Sequence, residues 1–141
     1  MAFRRREFLL GMVGSGLAAR TPEGGSVDLF EAKTGGYALY RIPGVVVTRR
    51  GTVLAYAESR THTGSDWDDI DVLVRRSTDG GRTFGPSWMA PHVPGAERNP
   101  VANERKQGKP EWRTYNNPVA IAARGGAVHF LYCLEYMRVF Y

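Results

Sequence analysis

The acidic run from Asp66 to Asp71 holds the residue types in this sequence that best suit proton transfer. A carboxylic acid donates a proton to a leaving oxygen efficiently only where its surroundings favour the protonated form. Trp67 would exclude water from a neighbouring carboxyl, and the closely spaced aspartates at 66, 68, 69 and 71 oppose one another's ionisation. The run therefore contains candidates for a general acid.

Two other interpretations of this run are a solvated acidic loop and a calcium-binding loop. An EF-hand loop would require an oxygen ligand at Ile70 and a glycine directly after Asp71, where the sequence has Val72. Calcium therefore fits poorly, whereas the solvated loop stays open as the alternative.

Short β-strands separated by glycine-rich turns must position these side chains. Between Ala32 and Tyr141 no helical period is sustained over a dozen residues, and the pattern predicts antiparallel strands. The predicted strands are 40–48, 52–60, 70–77, 83–89, 117–124, 127–135 and 137–141. The polar stretch 91–115 is expected to be an exposed loop between two sets of strands.

A meander of this kind places alternate turns at opposite ends of the sheet. The start of the first strand, the end of the second and the loop that follows share one end. The residues expected to gather there are Arg41, Glu58, Arg60 and Asp66. The turn after residue 77 lies at the other end, where we expect no substrate.

That turn reads Ser-Thr-Asp-Gly-Gly-Arg-Thr-Phe and fits the pattern Ser-x-Asp-x-Gly-x-Thr-aromatic, which is known as the Asp box. We expect the aspartate to accept backbone N–H bonds, the second glycine to supply an unhindered backbone and the phenylalanine to pack inward. The structural residues are Ser77, Asp79, Gly81, Thr83 and Phe84. The pattern recurs in several unrelated β-propellers, so alone it predicts a turn.

A second motif, Tyr40-Arg41-Ile42-Pro43, precedes the Asp box by thirty-odd residues. The two motifs in this order resemble the start of exo-α-sialidases (neuraminidases). The resemblance implies an all-β fold, namely a six-bladed β-propeller of which this chain holds about the first blade and most of a second. It also implies a glycoside hydrolase that removes terminal sialic acids from glycoconjugates with retention of configuration.

The resemblance assigns roles to individual residues. Arg41 would be one of three arginines that hold the substrate carboxylate, a task that suits the fixed donor fork of a guanidinium. Arg60 matches a further arginine of the substrate pocket. An acidic residue follows that arginine by five or six positions in the family, which makes Asp66 the general acid, with Asp68 or Asp69 as the next candidates.

Asn117 resembles the asparagine that opens the second blade and would face the pocket, or would form an Asx turn before Pro118. The family's Tyr nucleophile, its partner Glu and two further arginines come from later blades and have no match in this chain. We therefore expect the chain as given to be inactive, with no cofactor and no metal. The alternative is a non-catalytic Asp-box propeller that binds sugars or acts as a scaffold.

The N-terminus, Arg4-Arg5-Arg6-Glu7-Phe8-Leu9-Leu10, resembles a twin-arginine export signal. Its apolar segment, 8–19, is shorter than the ~20 residues of a membrane-spanning helix. We expect an export signal at 1–19, a leader at 20–36 and the propeller part at 37–141. The protein would then be exported by the bacterial twin-arginine machinery to the periplasm or medium, without a stable membrane anchor. The alternative is a basic N-terminus with an amphipathic helix.

Charge and cysteine content restrict the partners. The net charge is +5 and falls to +3 without the three arginines and one glutamate of the signal. The remaining basic residues are scattered among acidic ones, which argues against nucleic acid. We expect sialylated glycans of glycoproteins, glycolipids and oligosaccharides as partners. The single Cys133 cannot form an intrachain disulfide and is expected to be a buried strand residue.

Overall fold

The computed structural model describes residues 25–62 and 65–141; the predicted export signal and the first residues of the leader lie outside these ranges. The described chain forms two antiparallel sheets and one short helix, so the all-β class is confirmed. The elements are β1 (Leu39–Val47), β2 (Val53–Arg60), β3 (Ile70–Ser77), β4 (Trp88–Met89), α1 (Pro100–Glu104), β5 (Tyr115–Ala122), β6 (Val128–Leu134) and β7 (Arg138–Phe140). Within the described ranges, no helix combines the length and apolar character needed to cross a membrane.

The first sheet has the order β1-β2-β3-β4. Its two middle strands are buried along most of their length, because apolar residues occupy both of their faces. Arg41 pairs with Glu58, and Arg60 pairs with Ile70. These pairings bring the charged residues of β1 and β2 to the same end of the sheet. The three long strands lie within one residue of their predicted bounds.

The fourth strand is much shorter than the sequence predicted. The prediction was 83–89, and the strand covers Trp88–Met89 only. The N–H of Thr83, at the start of this segment, and that of the preceding Arg82 donate to the Asp79 carboxylate and so belong to the turn. Pro86 has no N–H to donate to a ladder. Pairing with β3 therefore begins only at Trp88.

Both sheets begin with a β-bulge directly before a proline. In β1 the pairing register shifts by one residue between Arg41 and Gly44, and in β5 it shifts in the same way between Asn116 and Val119. The residue before the proline has a positive φ in each case, 51° at Ile42 and 52° at Asn117. The first strands of the two sheets therefore share one motif, which supports the repeat that the sequence indicated only through the rhythm of its strands.

The second sheet has the order β5-β6-β7 and packs against the first. Tyr56 joins the two sheets, since its hydroxyl accepts the backbone N–H of Ala120 at 3.1 Å and its ring meets Phe130 edge-on. Gly44 makes this possible, because a Cβ at that position would overlap the ring of Tyr56. The main core cluster consists of Val72, Ala90, Tyr115, Tyr132 and Leu134.

The stretch 91–115 is largely exposed, as its polar composition predicted, but it is not only a loop. It contains α1, whose first turn is capped by the Asn99 side chain at the N–H of Val101, and several of its polar side chains are buried. These buried residues are Arg98, Asn99 and Thr114. They are buried because each has a partner elsewhere in the fold. Cys133, expected in the core, is only half-buried.

Candidate functional site

The carboxylate of Asp66 meets two guanidinium groups at one end of the first sheet. Its Oδ1 lies 3.2 Å from Nη1 of Arg41 and 2.9 Å from Nη1 of Arg60. The Asp66 side chain is 63% exposed and that of Arg41 47% exposed, whereas Arg60 is 2% exposed. The structure thus brings together the residues that the meander placed at this end, around a carboxylate that faces solvent.

Arg60 is fixed from below by Glu58, two residues earlier on the same face of β2. Nη2 of Arg60 donates to Oε2 of Glu58 at 2.8 Å, and both side chains are buried. Burial alone would lower the pKa of Arg60, but the hydrogen bonds to Glu58 and Asp66 outweigh it and raise the pKa above its usual value. Arg60 therefore remains a fixed cation beneath the exposed pair.

Asn117 lies beside this ion pair through its backbone. Its N–H donates to the other oxygen of Glu58 at 2.8 Å, while the residue itself is exposed. Asparagine tolerates the left-handed conformation that the bulge imposes here. Asn116, which is fully buried, occupies the position in β5 that Arg41 occupies in β1. Aligning the two motifs on their prolines would have identified Asn116 as that counterpart.

The carboxylates of Asp68 and Asp69 help to build the loop that carries Asp66. Asp68 is fully buried, and its oxygens accept the backbone N–H groups of His62 and Asp69 and contact the His62 ring. Asp69 accepts the N–H of Arg113 at 3.1 Å. Among the described residues there is no group of three or more His, Cys, Asp or Glu side chains that could hold a metal ion.

The surroundings of Asp66 differ from those expected from its neighbours in sequence. Trp67 does not cover the carboxyl, because its ring packs edge-on against Tyr136, with 4.9 Å between the centroids, and lies 5.7 Å from the Arg98 guanidinium. The charges in contact with Asp66 are guanidinium groups rather than other aspartates. The groups around this carboxyl are therefore two guanidiniums and solvent, and not the tryptophan ring and the aspartates that the sequence suggested.

A buried network behind the loop was not predicted. Arg98 pairs with Glu135 at 2.9 Å, and both side chains are almost completely buried. Nη2 of Arg98 also donates to the carbonyl of Trp67 at 2.8 Å. The Tyr136 hydroxyl donates to the carbonyl of Asp66 at 2.9 Å. No spacing in the sequence signals a pair whose members lie 37 residues apart.

The turn at 77–84 lies at the opposite end of the sheet. Oδ1 of Asp79 accepts the N–H groups of Arg82 and Thr83, each at 3.0 Å, and Oδ2 accepts the Thr83 hydroxyl at 2.6 Å. The hydrogen bonds from the Thr83 side chain and backbone hold the pKa of Asp79 far below its usual value. Gly81 has a φ of 90°, and Phe84 is half-buried. Both oxygens of the Asp79 carboxylate therefore accept hydrogen bonds from residues of the same turn.

The curated proteins that match short parts of this chain include three sialidases. An exo-alpha-sialidase of Aspergillus fumigatus is 45% identical over 42 residues, and one of Arthroderma benhamiae is 43% identical over 42 residues. A sialidase of Bacteroides fragilis is 44% identical over 48 residues. The matches cover 30% to 33% of this chain and 9% to 10% of each relative, so they span about a tenth of the relatives' length. No family model matches the chain. The similarity gives partial support to a sialidase-like fragment.

Proposed function

We propose that this chain is the N-terminal part of an exo-α-sialidase, forming the first blade and most of the second of a six-bladed β-propeller. The observation that carries the proposal is the convergence of Arg41 and Arg60 on one solvent-facing carboxylate. The short matches to sialidases and the repeat of the bulged strand support it.

Substrate recognition would use the contact that Arg41 makes with Asp66. A sialic acid bears a carboxylate on its anomeric carbon, and the exposed guanidinium of Arg41 already holds a carboxylate oxygen at 3.2 Å. The substrate carboxylate would take that place, since a charge-assisted pair with arginine is among the stronger polar contacts available. Arg60, fixed by Glu58, would keep the pocket positive during the exchange.

The same exchange would prepare Asp66 for acid catalysis. With Arg41 bound to the substrate, the carboxyl of Asp66 would lose one of its two cationic neighbours and face an additional negative charge. Both changes favour the protonated form. Asp66 could then donate its proton to the leaving oxygen as the glycosidic bond breaks. The nucleophilic Tyr, its Glu and two further arginines would be supplied by later blades, so the chain alone would not turn over substrate.

The test compares Arg41→Ala and Asp66→Asn in the complete protein on two substrates. Arg41→Ala removes a charge-assisted contact of roughly 1.5 to 3 kcal/mol, so kcat/KM should fall at least about tenfold on both substrates. Asp66→Asn should lower the rate by about 10² to 10⁴ on a sialyl-galactoside. On a nitrophenyl sialoside, whose leaving group departs without a proton, the loss should be much smaller.

Arg82→Ala is the matched control, because this exposed arginine belongs to the turn at the far end of the sheet. Equal losses for Asp66→Asn on the two substrates would exclude the acid role of Asp66. Binding of sialosides by the complete wild-type protein without any turnover would instead indicate a non-catalytic sugar-binding propeller.

A further inference from the structure

The turn between β6 and β7 has an unusual residue pair at its centre. Met137 N–H bonds to the carbonyl of Leu134, and the two residues between them, Glu135 and Tyr136, both have a φ of 55°. Two consecutive positive φ values define a hairpin turn that ordinarily uses Asn-Gly, because side chains with a Cβ are strained in this region. Strain of this kind persists only where the surrounding structure holds it.

Glu135 holds the turn from below. Its carboxylate is fully buried and accepts Arg98 at 2.9 Å, the N–H of Thr114 at 2.7 Å and the N–H of Asn99 at 3.0 Å. Its backbone N–H donates to the carbonyl of Thr114, and its carbonyl accepts the Asn99 side chain. The conformation of the turn is therefore fixed on its inner side by five hydrogen bonds.

Tyr136 lies on the outer side of the turn. Its ring packs against Trp67 and its hydroxyl donates to the carbonyl of Asp66 at 2.9 Å, although the residue as a whole is 43% exposed. Arg98 joins both sides, since the same guanidinium binds Glu135 and the carbonyl of Trp67. Burial raises the pKa of Tyr136, so the hydroxyl stays protonated and can donate throughout the neutral pH range.

We infer that Tyr136 is a positioning residue that holds the backbone of residues 65–69, and with it the Asp66 carboxyl, in place for proton donation. The inference rests on the proposed function for its kinetic consequence, but the positioning itself follows from the two contacts with Asp66 and Trp67. Tyr136 contacts the backbone of Asp66 and not its carboxyl, so it acts through that residue.

Tyr136→Phe tests this in the complete protein, because it removes the hydroxyl and keeps the ring on Trp67. Amide hydrogen exchange of residues 65–69 should speed up roughly threefold to tenfold, the value of one hydrogen bond. On a sialyl-galactoside kcat should fall by a similar factor with KM unchanged, and on a nitrophenyl sialoside it should change little. Added to Asp66→Asn, the substitution should have no further effect.

Tyr132→Phe is the control, since its hydroxyl also donates to a backbone carbonyl, that of Pro91, but inside the core. It should leave exchange at 65–69 unchanged. Unchanged exchange in Tyr136→Phe, or equal acceleration in both variants, would overturn the positioning role. Additive kinetic losses of Tyr136→Phe and Asp66→Asn would overturn its action through Asp66. If the wild-type protein has no sialidase activity, the proposed function fails, while the exchange measurement still decides whether Tyr136 holds the loop.

Discussion

Asp66 and Asp79 are carboxylates at opposite ends of the first sheet, and their partners give them different roles. Asp79 is bonded to backbone N–H groups and hydroxyls of its own turn, whereas Asp66 faces guanidinium groups of two strands. A carboxylate whose lone pairs are taken by the backbone fixes a conformation. A carboxylate that pairs with an exposed guanidinium, as Asp66 does with Arg41, can exchange that partner for a ligand.

The low pKa of Asp79 predicts a loss of stability in acid. Because its folded pKa lies below the unfolded value, the carboxylate stabilises the fold above about pH 4 and progressively less as the pH falls further. Asp79→Asn should therefore be less stable than wild type at pH 6, and the difference should shrink towards pH 3. Urea unfolding of the complete protein across this range measures the difference, with the exposed Asp28→Asn as control. A constant difference would contradict the linkage.

The sequence predicted the neighbours of a residue well only where strand order alone brings the partners together. Arg41, Arg60 and Asp66 could be placed together because strand order alone brings them to one end. Arg98 and Glu135 could not, since their pairing depends on how the two sheets pack. The same limit explains why Trp67 was expected to cover the neighbouring Asp66 carboxyl. Its ring packs instead against Tyr136, a residue of the second sheet's β6–β7 turn.

At the level of elements, the repeated bulge shifts the pairing of β1 with β2 by one residue between Arg41 and Gly44. The extra residue re-aims the chain at the strand start, and the proline that follows prevents normal pairing there. Asn suits the left-handed position at 117, whereas the β-branched Ile42 does not. The first bulge is thus the more strained of the two.

Exchanging the two residue types tests this. Asn117→Ile should destabilise the fold by about 1 to 2 kcal/mol, the usual penalty of a left-handed residue with a Cβ. Ile42→Asn should be neutral or stabilising, since Asn is one of the few non-glycine residues that adopt this conformation readily. Denaturant unfolding of both single variants of the complete protein measures the change in the free energy of unfolding. Destabilisation by Ile42→Asn as large as that by Asn117→Ile would show that packing of Ile42, and not its backbone, dominates.

The strands were predicted well where hydrophobic patterning decides them, and poorly where turn chemistry or tertiary partners do. β2 and β3 carry apolar residues on both faces and could be read directly. β4 lost most of its predicted length to the hydrogen bonds of Asp79 and to Pro86. In the largely exposed stretch 91–115, composition does not reveal that Arg98 has a buried partner.

For the whole molecule, the notable surface is an apolar face on the first strand of each sheet. Its large exposed side chains are Val45, Val47, Val119 and Ile121. Exposed apolar residues on matching faces of two repeats are typical of units that stack against further copies. This agrees with the proposal that additional blades complete the protein.

The 141-residue chain expressed alone should therefore self-associate and bind a dye such as anilinonaphthalene sulfonate. The double variant Val45→Thr with Ile121→Thr should bind less dye, because it keeps the β-branched shape and reduces the apolar area. Light scattering and dye fluorescence measure both effects. A monomer with a sharp thermal transition and no dye binding would contradict the proposed architecture.

The long separation between the Asp66 loop and its anchors also sets the order in which the site can form during synthesis. The Tyr136 hydroxyl that bonds to Asp66 is added 70 residues later. At roughly 5 to 20 residues per second, that interval lasts on the order of 4 to 14 seconds. The first three strands, which pair with their neighbours in the chain, can assemble during this time. The loop with Asp66 gains its bond from Tyr136 only after the second sheet has left the ribosome, so this contact is the last part of the charged site to be completed.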